Sequence, residues 1–288
     1  MEDLNKKKYW IWLSLINGLG SRRKMKLLEI YKTPEKIYNL SKEQLLKIKG
    51  IGEEVVKNIV VSKNQKLLNY HIKYMKENNI RIINICEKNY PQVLKEIYDP
   101  PISLYIKGNT NILNNKSIAI VGCRDCTNYG RSAAKYFAYN LTKKNINIVS
   151  GLAKGVDSYA HIGSLSTGNT IAVLGNGLDT IYPKENTELA KEIIKNGGTI
   201  ISEYPCGTKP NKMNFPARNR IISGMCDGII VIEAKEKSGT LITVDFALEQ
   251  GRDVFVIPGN INSVNSVGTN ELIKQGAKLV TTYEEILK

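Results

Sequence analysis

The chain has 288 residues, 41 Lys+Arg against 27 Asp+Glu, and a formal net charge of +14. That length suggests about two domains with an ample core and no need of disulfide staples. No stretch is long and apolar enough to span a bilayer, and the excess of cations favours a polyanionic partner.

The charge is uneven, net +9 over residues 1–80 and +5 over the rest. Lys6–Lys8 before the apolar run Tyr9–Ile16 imitate a signal peptide, but the run holds two Trp and no cleavage site follows, so it reads as a first helix. Five scattered cysteines, Cys86, Cys123, Cys126, Cys206 and Cys226, argue for a reducing compartment. Cys123 and Cys126 form a CxxC with no second half, so no metal is expected.

Residues 1–80 predict a small helical domain. Leu27, Leu28, Ile30 and Tyr31, then Val55, Val56, Ile59 and Val60, recur at helical spacing. Ser41 with Gln44 predicts a capping box. Gly50-Ile51-Gly52 reads as the turn of a helix-hairpin-helix. Residues 81–116 read as a connector with extra strands, Arg81–Ile85 and Ile102–Ile106, around Pro100-Pro101.

Residues 117–288 change pattern. Short β-branched runs at Ser117–Val121, Ile146–Val149, Thr170–Leu174, Thr199–Ser202, Gly228–Ile232 and Asp253–Ile257 alternate with helical stretches at Tyr129–Lys144, Val156–Ser166, Lys184–Asn196, Ala217–Cys226 and Thr240–Gln250. This predicts an α/β fold, a Rossmann-like doubly wound and mostly parallel sheet.

Ligands of such sheets bind beyond the carboxyl ends of the strands. Gly122-Cys123-Arg124, Ser150-Gly151, Gly175-Asn176-Gly177, Glu203-Tyr204, Glu233-Ala234 and Pro258-Gly259 follow the runs. Small residues there let a ligand approach the backbone. The first two turns open helices, whose N-termini favour anions. Arg124 can fork onto a phosphate, and Gly151 and Gly155 flank Lys154. The first turn is not GxGxxG, because Arg124 stands where a pyrophosphate would press, and no GxxxxGK[ST] exists. Neither NAD nor another nucleotide cofactor is expected.

Tyr204–Arg220 carries Lys209, Lys212, Arg218 and Arg220 around Phe215, with no acid. Cations interleaved with a ring suit a single strand of nucleic acid. Asp157 and His161, at i and i+4, read as a helix-stabilising pair, and no GxSxG supplies a nucleophile. Glu203 and Glu233 read as supports for Arg124 or Arg218.

SIAIVGCRDCTNYG, SGLAKGVDSYAH, FPARNRIISG, KSGTLITVDFALEQGR and VFVIPG…GTNELIKQGA, in that order, resemble the DNA-processing protein A family (DprA, also called Smf). The resemblance spans about residues 85–285. It implies an extended Rossmann-like fold preceded by an all-helical SAM-like domain, and a cytoplasmic, non-enzymatic homodimer. Such a protein binds single-stranded DNA and loads RecA onto it in natural transformation. Its phosphate-gripping arginine falls on Arg124, with Cys123 where the family has serine. Its FPxRNR motif falls on Phe215, Pro216, Arg218, Asn219 and Arg220, and its DNA-contacting loop implies Lys209 or Lys212. Gly122, Ser150, Gly151, Lys154, Gly155, Ser238, Gly239 and Thr240 complete the expected phosphate-binding set. Some members continue into a winged helix, which is not expected in these 288 residues. A rival reading is a Rossmann-like nucleotide phosphoribohydrolase of the LOG type. It needs a glutamate just after the Gly-Thr turn, and Ser238-Gly239-Thr240-Leu241-Ile242-Thr243 places no acid there.

Overall fold

The computed structural model describes residues 4–287. Six helices come first: α1 Lys8–Leu15, α2 Ser21–Tyr31, α3 Pro34–Tyr38, α4 Lys42–Leu46, α5 Glu53–Ser62 and α6 Gln65–Glu77. The Ser41–Gln44 capping box opens α4, both of its bonds being formed. Thr33 and Asn64 cap α3 and α6 through their side-chain oxygens. Leu27, Leu28, Val56 and Ile59 are buried, whereas Ile30 and Val60 are exposed. Helical spacing places both just off the inward stripe, so the periodic set was wider than the buried face.

The remaining elements alternate. They are β1 Arg81–Asn84, α7 Gln92–Lys95, β2 Ser103–Gly108, β3 Ser117–Gly122, α8 Asn128–Thr142, β4 Asn147–Ser150, α9 Val156–Ser164 and β5 Thr170–Leu174. Then follow α10 Thr187–Lys195, β6 Thr199–Ser202, α11 Asn214–Gly224, β7 Gly228–Ile232, α12 Gly239–Glu249, β8 Asp253–Val256, α13 Val267–Lys274 and β9 Lys278–Leu279.

Among the described residues these strands form one sheet, ordered β1-β2-β6-β5-β4-β3-β7-β8-β9. From β6 to β9 every neighbour is parallel; β1 and β2 add to the edge antiparallel. Every residue of β5 and β7 is buried, as their near-continuous apolar sequence requires of strands covered on both faces.

Two elements depart from expectation. Helix α11 begins at Asn214, not Ala217. Pro216 is its third residue, and a proline in the first turn loses no helical hydrogen bond. Helix α13 and the two-residue β9 went unread, the strand being too short to show a pattern.

The helical region packs against the sheet. Trp12, Leu27, Ile37 and Met75 share one apolar cluster with Ile82, Tyr105, Leu174 and Ile193. Trp12 Nε1 donates to Ser62 Oγ at 2.9 Å, so its polar end is satisfied within the core.

Candidate nucleic-acid interface

The chain leaves β3 toward β4, β5 and β6 on one side, and leaves β7 toward β8 and β9 on the other. Strands β3 and β7 are parallel neighbours, so loops beyond their carboxyl ends diverge and open a crevice. The crevice measures about 550 Å³. Gly122, Arg124, Lys212, Phe215, Arg218, Asn219, Ser238, Gly239 and Thr240 line it. Gly151 and Lys154 line an adjoining recess, together with Arg124, Phe215 and Arg218. Ser150, Gly155, Lys209 and Arg220 line neither.

Several expected phosphate ligands already serve the protein. Ser150 is fully buried and its Oγ donates to Ile120 O at 2.7 Å, which removes it as a phosphate donor. The N–H groups of Gly151 and Ala153 donate to Asp157 Oδ2 at 3.1 and 3.2 Å. The carboxylate of Glu233 accepts from Thr127 N at 2.8 Å and from Thr127 Oγ1, at the head of α8. Both helix N-termini expected to cradle an anion therefore hold an internal carboxylate.

The glycines serve mainly the fold. A Cβ on Gly122 would lie 1.8 Å from Ile232 O, so glycine is what allows β3 to approach β7 there. Gly155 has φ +77°, and a Cβ on it would meet Arg124 O at 2.2 Å; this loop is seated directly on the first. A Cβ on Gly151 would meet the Arg218 guanidinium at 2.4 Å. Gly239 differs, with nothing within 4 Å of its missing Cβ.

Arg218 and Arg220, both on α11, correct the sequence reading. Arg218 is buried; its Nη1 donates to Gly151 O at 2.7 Å and to Val173 O, and its Nε to Asn219 Oδ1 at 3.1 Å. Burial pulls its pKa down to about 10, opposed by nearby Asp157, so it stays charged at neutral pH. Arg220 pairs with Glu203 at 2.8 Å and Asp99 at 3.3 Å, while Ser21 Oγ of α2 donates to the same Glu203 oxygen at 2.7 Å. Arg220 thus ties the helical region to the sheet. Glu203 supports Arg220, and Glu233 supports no arginine, rather than either holding Arg124 or Arg218.

Asp157 and His161 do not pair. Asp157 accepts the backbone bonds above. His161 Nδ1 lies 2.7 Å from Thr170 Oγ1, whose own proton goes to Ile148 O, so Nδ1 carries the hydrogen. Burial, then the nearby Arg218 charge, drives the His161 pKa down to about 3.

What faces the crevice is cationic. Arg124 and Lys212 are exposed, and among the described residues neither has a hydrogen-bond or ion-pair partner. Lys235 and Lys237 join them, exposed, between β7 and α12. The sequence reading stopped at Glu233-Ala234 and missed both; extending each strand end by one turn would have found them. Asp125 and Asp157 are the acids of this lining, against five cationic side chains. Lys154 is exposed and pairs with Glu185, a contact worth little in water.

An aromatic pair borders these cations. Tyr182, also missed, stacks on Phe215 with ring centroids 5.4 Å apart and planes at 26°. Phe215 lies over Gly175, where a Cβ would come within 2.8 Å of its ring. Tyr182 is 46% exposed and presents the open side of the pair. The CxxC thiols of Cys123 and Cys126 are buried and pushed up chiefly by burial. Among the described residues no cluster of His, Cys, Asp and Glu could hold a metal. Among those residues no helix is long and apolar enough to cross a membrane.

Over residues 81–288 the sequence matches the DNA recombination-mediator protein A family, and over 13–62 the SAM-like helix-hairpin-helix tandem. The DNA processing protein DprA of Streptococcus pneumoniae is 41% identical over 278 residues, 90% of this chain and 96% of that one. The DprA of Bacillus subtilis is 45% identical over 215 residues, 74% of this chain and 72% of that one. The X-ray structure of the S. pneumoniae protein aligns with TM-score 0.85 at 38% identity, covering 97% of this chain and 96% of that one. A DNA processing protein A structure from Helicobacter pylori, described for its single-stranded DNA binding mode, aligns with TM-score 0.66 at 33% identity, covering 72% and 94%. No phosphoribohydrolase is among these matches.

Proposed function

Because the chain belongs to the DNA recombination-mediator protein A family, we propose that the β3/β7 crevice grips single-stranded DNA by its phosphates, without covalent chemistry. The single observation that carries this reading is the cationic rim of Arg124, Lys212, Lys235 and Lys237 beside the exposed Tyr182–Phe215 stack. Four exposed cations suit a run of phosphates, and an open aromatic face suits a base, whatever its identity. A dinucleotide would draw on backbone donors at these turns, and Glu233 and Asp157 already hold those of Thr127, Gly151 and Ala153.

In this reading Arg124 is the principal phosphate contact, Lys212, Lys235 and Lys237 add charge, and Gly239 leaves the head of α12 accessible. Lys154 contributes at the recess. Arg218, Asn219, Ser150, Gly151 and Gly155 act by shaping the crevice, and Arg220 by anchoring α11. Lys209 lies outside the crevice and is assigned no contact.

The same reading extends to a cytoplasmic protein that acts as a homodimer and hands the coated strand to RecA. Exposed Ile261, Val264 and Val267 support self-association, since apolar side chains grouped on a surface favour a partner. Light scattering on the purified protein tests the dimer. Strand exchange by RecA on pre-coated DNA, with and without this protein, tests the hand-over.

The test of binding is a mobility-shift series on single- and double-stranded oligonucleotides of one sequence. Retention of the single strand at lower protein concentration, and its loss in Arg124→Ala, supports the reading. Equal behaviour of the variant and the parent, or no shift at low salt, overturns it.

A further inference from the structure

The outer surface beyond the crevice has an unusual charge distribution. Between Cys126 and Leu178 the sequence contains one acid, Asp157, and that one is buried. Exposed helix faces ordinarily mix signs, which keeps long-range fields small. Helix α8 does not: it carries Arg131 and Lys135, is followed by Lys143 and Lys144, and holds no Asp or Glu. Arg131, Lys135, Tyr139 and Lys143 recur every four residues, which lays them in one stripe, and all four are exposed.

Rings are interleaved with these cations. The Arg131 guanidinium lies 5.5 Å and Lys135 Nζ 5.2 Å from the ring of Tyr159, at the start of α9. Lys143 Nζ lies 4.5 Å from the ring of Tyr139. Tyr136, 43% exposed, flanks the stripe and meets Tyr283 edge-on. Tyr159 is half-buried against the core under α8, whereas Tyr136 and Tyr139 are exposed, 43% and 40%, and the packing of the core does not call for them. At the far end Glu284 lies close enough to Lys144 to feel its charge, and there the patch meets an acid.

The stripe continues the crevice. Arg124 precedes α8 by one short loop, and Tyr159 lies five residues beyond Lys154 of the recess. From Arg131 to Lys143 the helix runs about 18 Å at ~1.5 Å per residue. That is the length of about five stacked nucleotides at ~3.4 Å each.

We propose that the outer face of α8, with Tyr159, is a second contact surface for single-stranded nucleic acid, which carries the strand onward as it leaves the crevice. This rests on the crevice reading and adds to it a path and a longer site. Cations along the stripe hold phosphates, and Tyr139 and Tyr159 offer faces to the bases between them.

Anisotropy titrations with labelled oligothymidylates of about 6 and about 20 nucleotides separate the two surfaces. The proteins are the parent, the Lys135→Glu/Lys143→Glu double variant and Tyr139→Ser, each checked for parental circular dichroism and melting. The double variant is expected to bind the short strand like the parent and the long strand roughly tenfold or more weaker. Its salt slope on the long strand should fall by about 1.4, two phosphates at ~0.7 each. Tyr139→Ser should weaken the long strand alone by about fivefold or more. If the double variant matches the parent on the long strand in affinity and slope, or weakens both strands equally, the α8 surface is refuted while the crevice stands. If the parent binds neither strand, the crevice reading fails and takes this one with it.

Discussion

Arg218→Met removes the cation that the sequence assigned to DNA and the structure assigns to the fold. The guanidinium holds Gly151 O and Val173 O, and lies close enough to Asp157 to feel its charge. Methionine fills much of the stem volume but takes a donor from each of two carbonyls and the neighbouring cation from a buried carboxylate. Orphaning a buried polar group costs about 1–3 kcal/mol, and breaking a buried charge pair about 3–5 kcal/mol. Asp157 is not in direct ion-pair contact and keeps its two backbone donors, so the low end applies throughout: about 1 kcal/mol for each carbonyl and about 1 kcal/mol for the stranded charge, about 3 kcal/mol in all. That is a large share of the ~5–15 kcal/mol that holds a typical domain. Urea unfolding of parent and variant measures it. Asp157→Asn added to the variant should return about 1 kcal/mol, because it removes the stranded charge. If Arg218→Met unfolds within ~0.5 kcal/mol of the parent yet loses tenfold in oligothymidylate affinity, the arginine works on DNA and the argument is wrong.

Three further outcomes are expected. Arg124→Ala should weaken single-stranded DNA about tenfold, one charge-assisted contact of ~1.5 kcal/mol, and lower the salt slope by about 0.7, with unchanged melting. Gly155→Ala should cost about 2 kcal/mol or more in urea, since its positive φ and the nearby Arg124 carbonyl both exclude a Cβ. His161 supplies a pH dependence. Its folded pKa of about 3 lies below the ordinary 6.5, so its contribution is present above pH ~6.5 and is lost as pH falls toward 3. Between pH 7 and 5 this is about 2 kcal/mol, and His161→Gln should flatten that part of the urea-stability profile.

Much of the fold was legible because each strand carries its own signal. Thr170–Leu174, Thr199–Ser202 and Gly228–Ile232 are short β-branched runs with helices between them, and they form strands over those same residues. Strand ends were legible too, which is how Arg124 was expected at the mouth of the crevice that it lines. What the sequence could not show is which way a cation turns. Arg218 and Arg220 look like Lys212 in the string, yet each is drawn inward by groups far away in sequence: Gly151 and Val173 for one, Asp99 and Glu203 for the other. The glycine rim misled for the same reason. Gly122 and Gly155 make room for protein backbone, and the turns beside them are occupied by Glu233 and Asp157; the Glu233 contact is visible only once strands β3 and β7 stand side by side.

The most direct measurement places a short strand on the surface. A 4-thiothymidine oligomer of about 6 nucleotides, photo-cross-linked and mapped by peptide mass spectrometry, should attach at Tyr182, Phe215 or the Lys235–Ser238 segment. Attachment confined to the N-terminal helices or to the β1 edge would contradict the account.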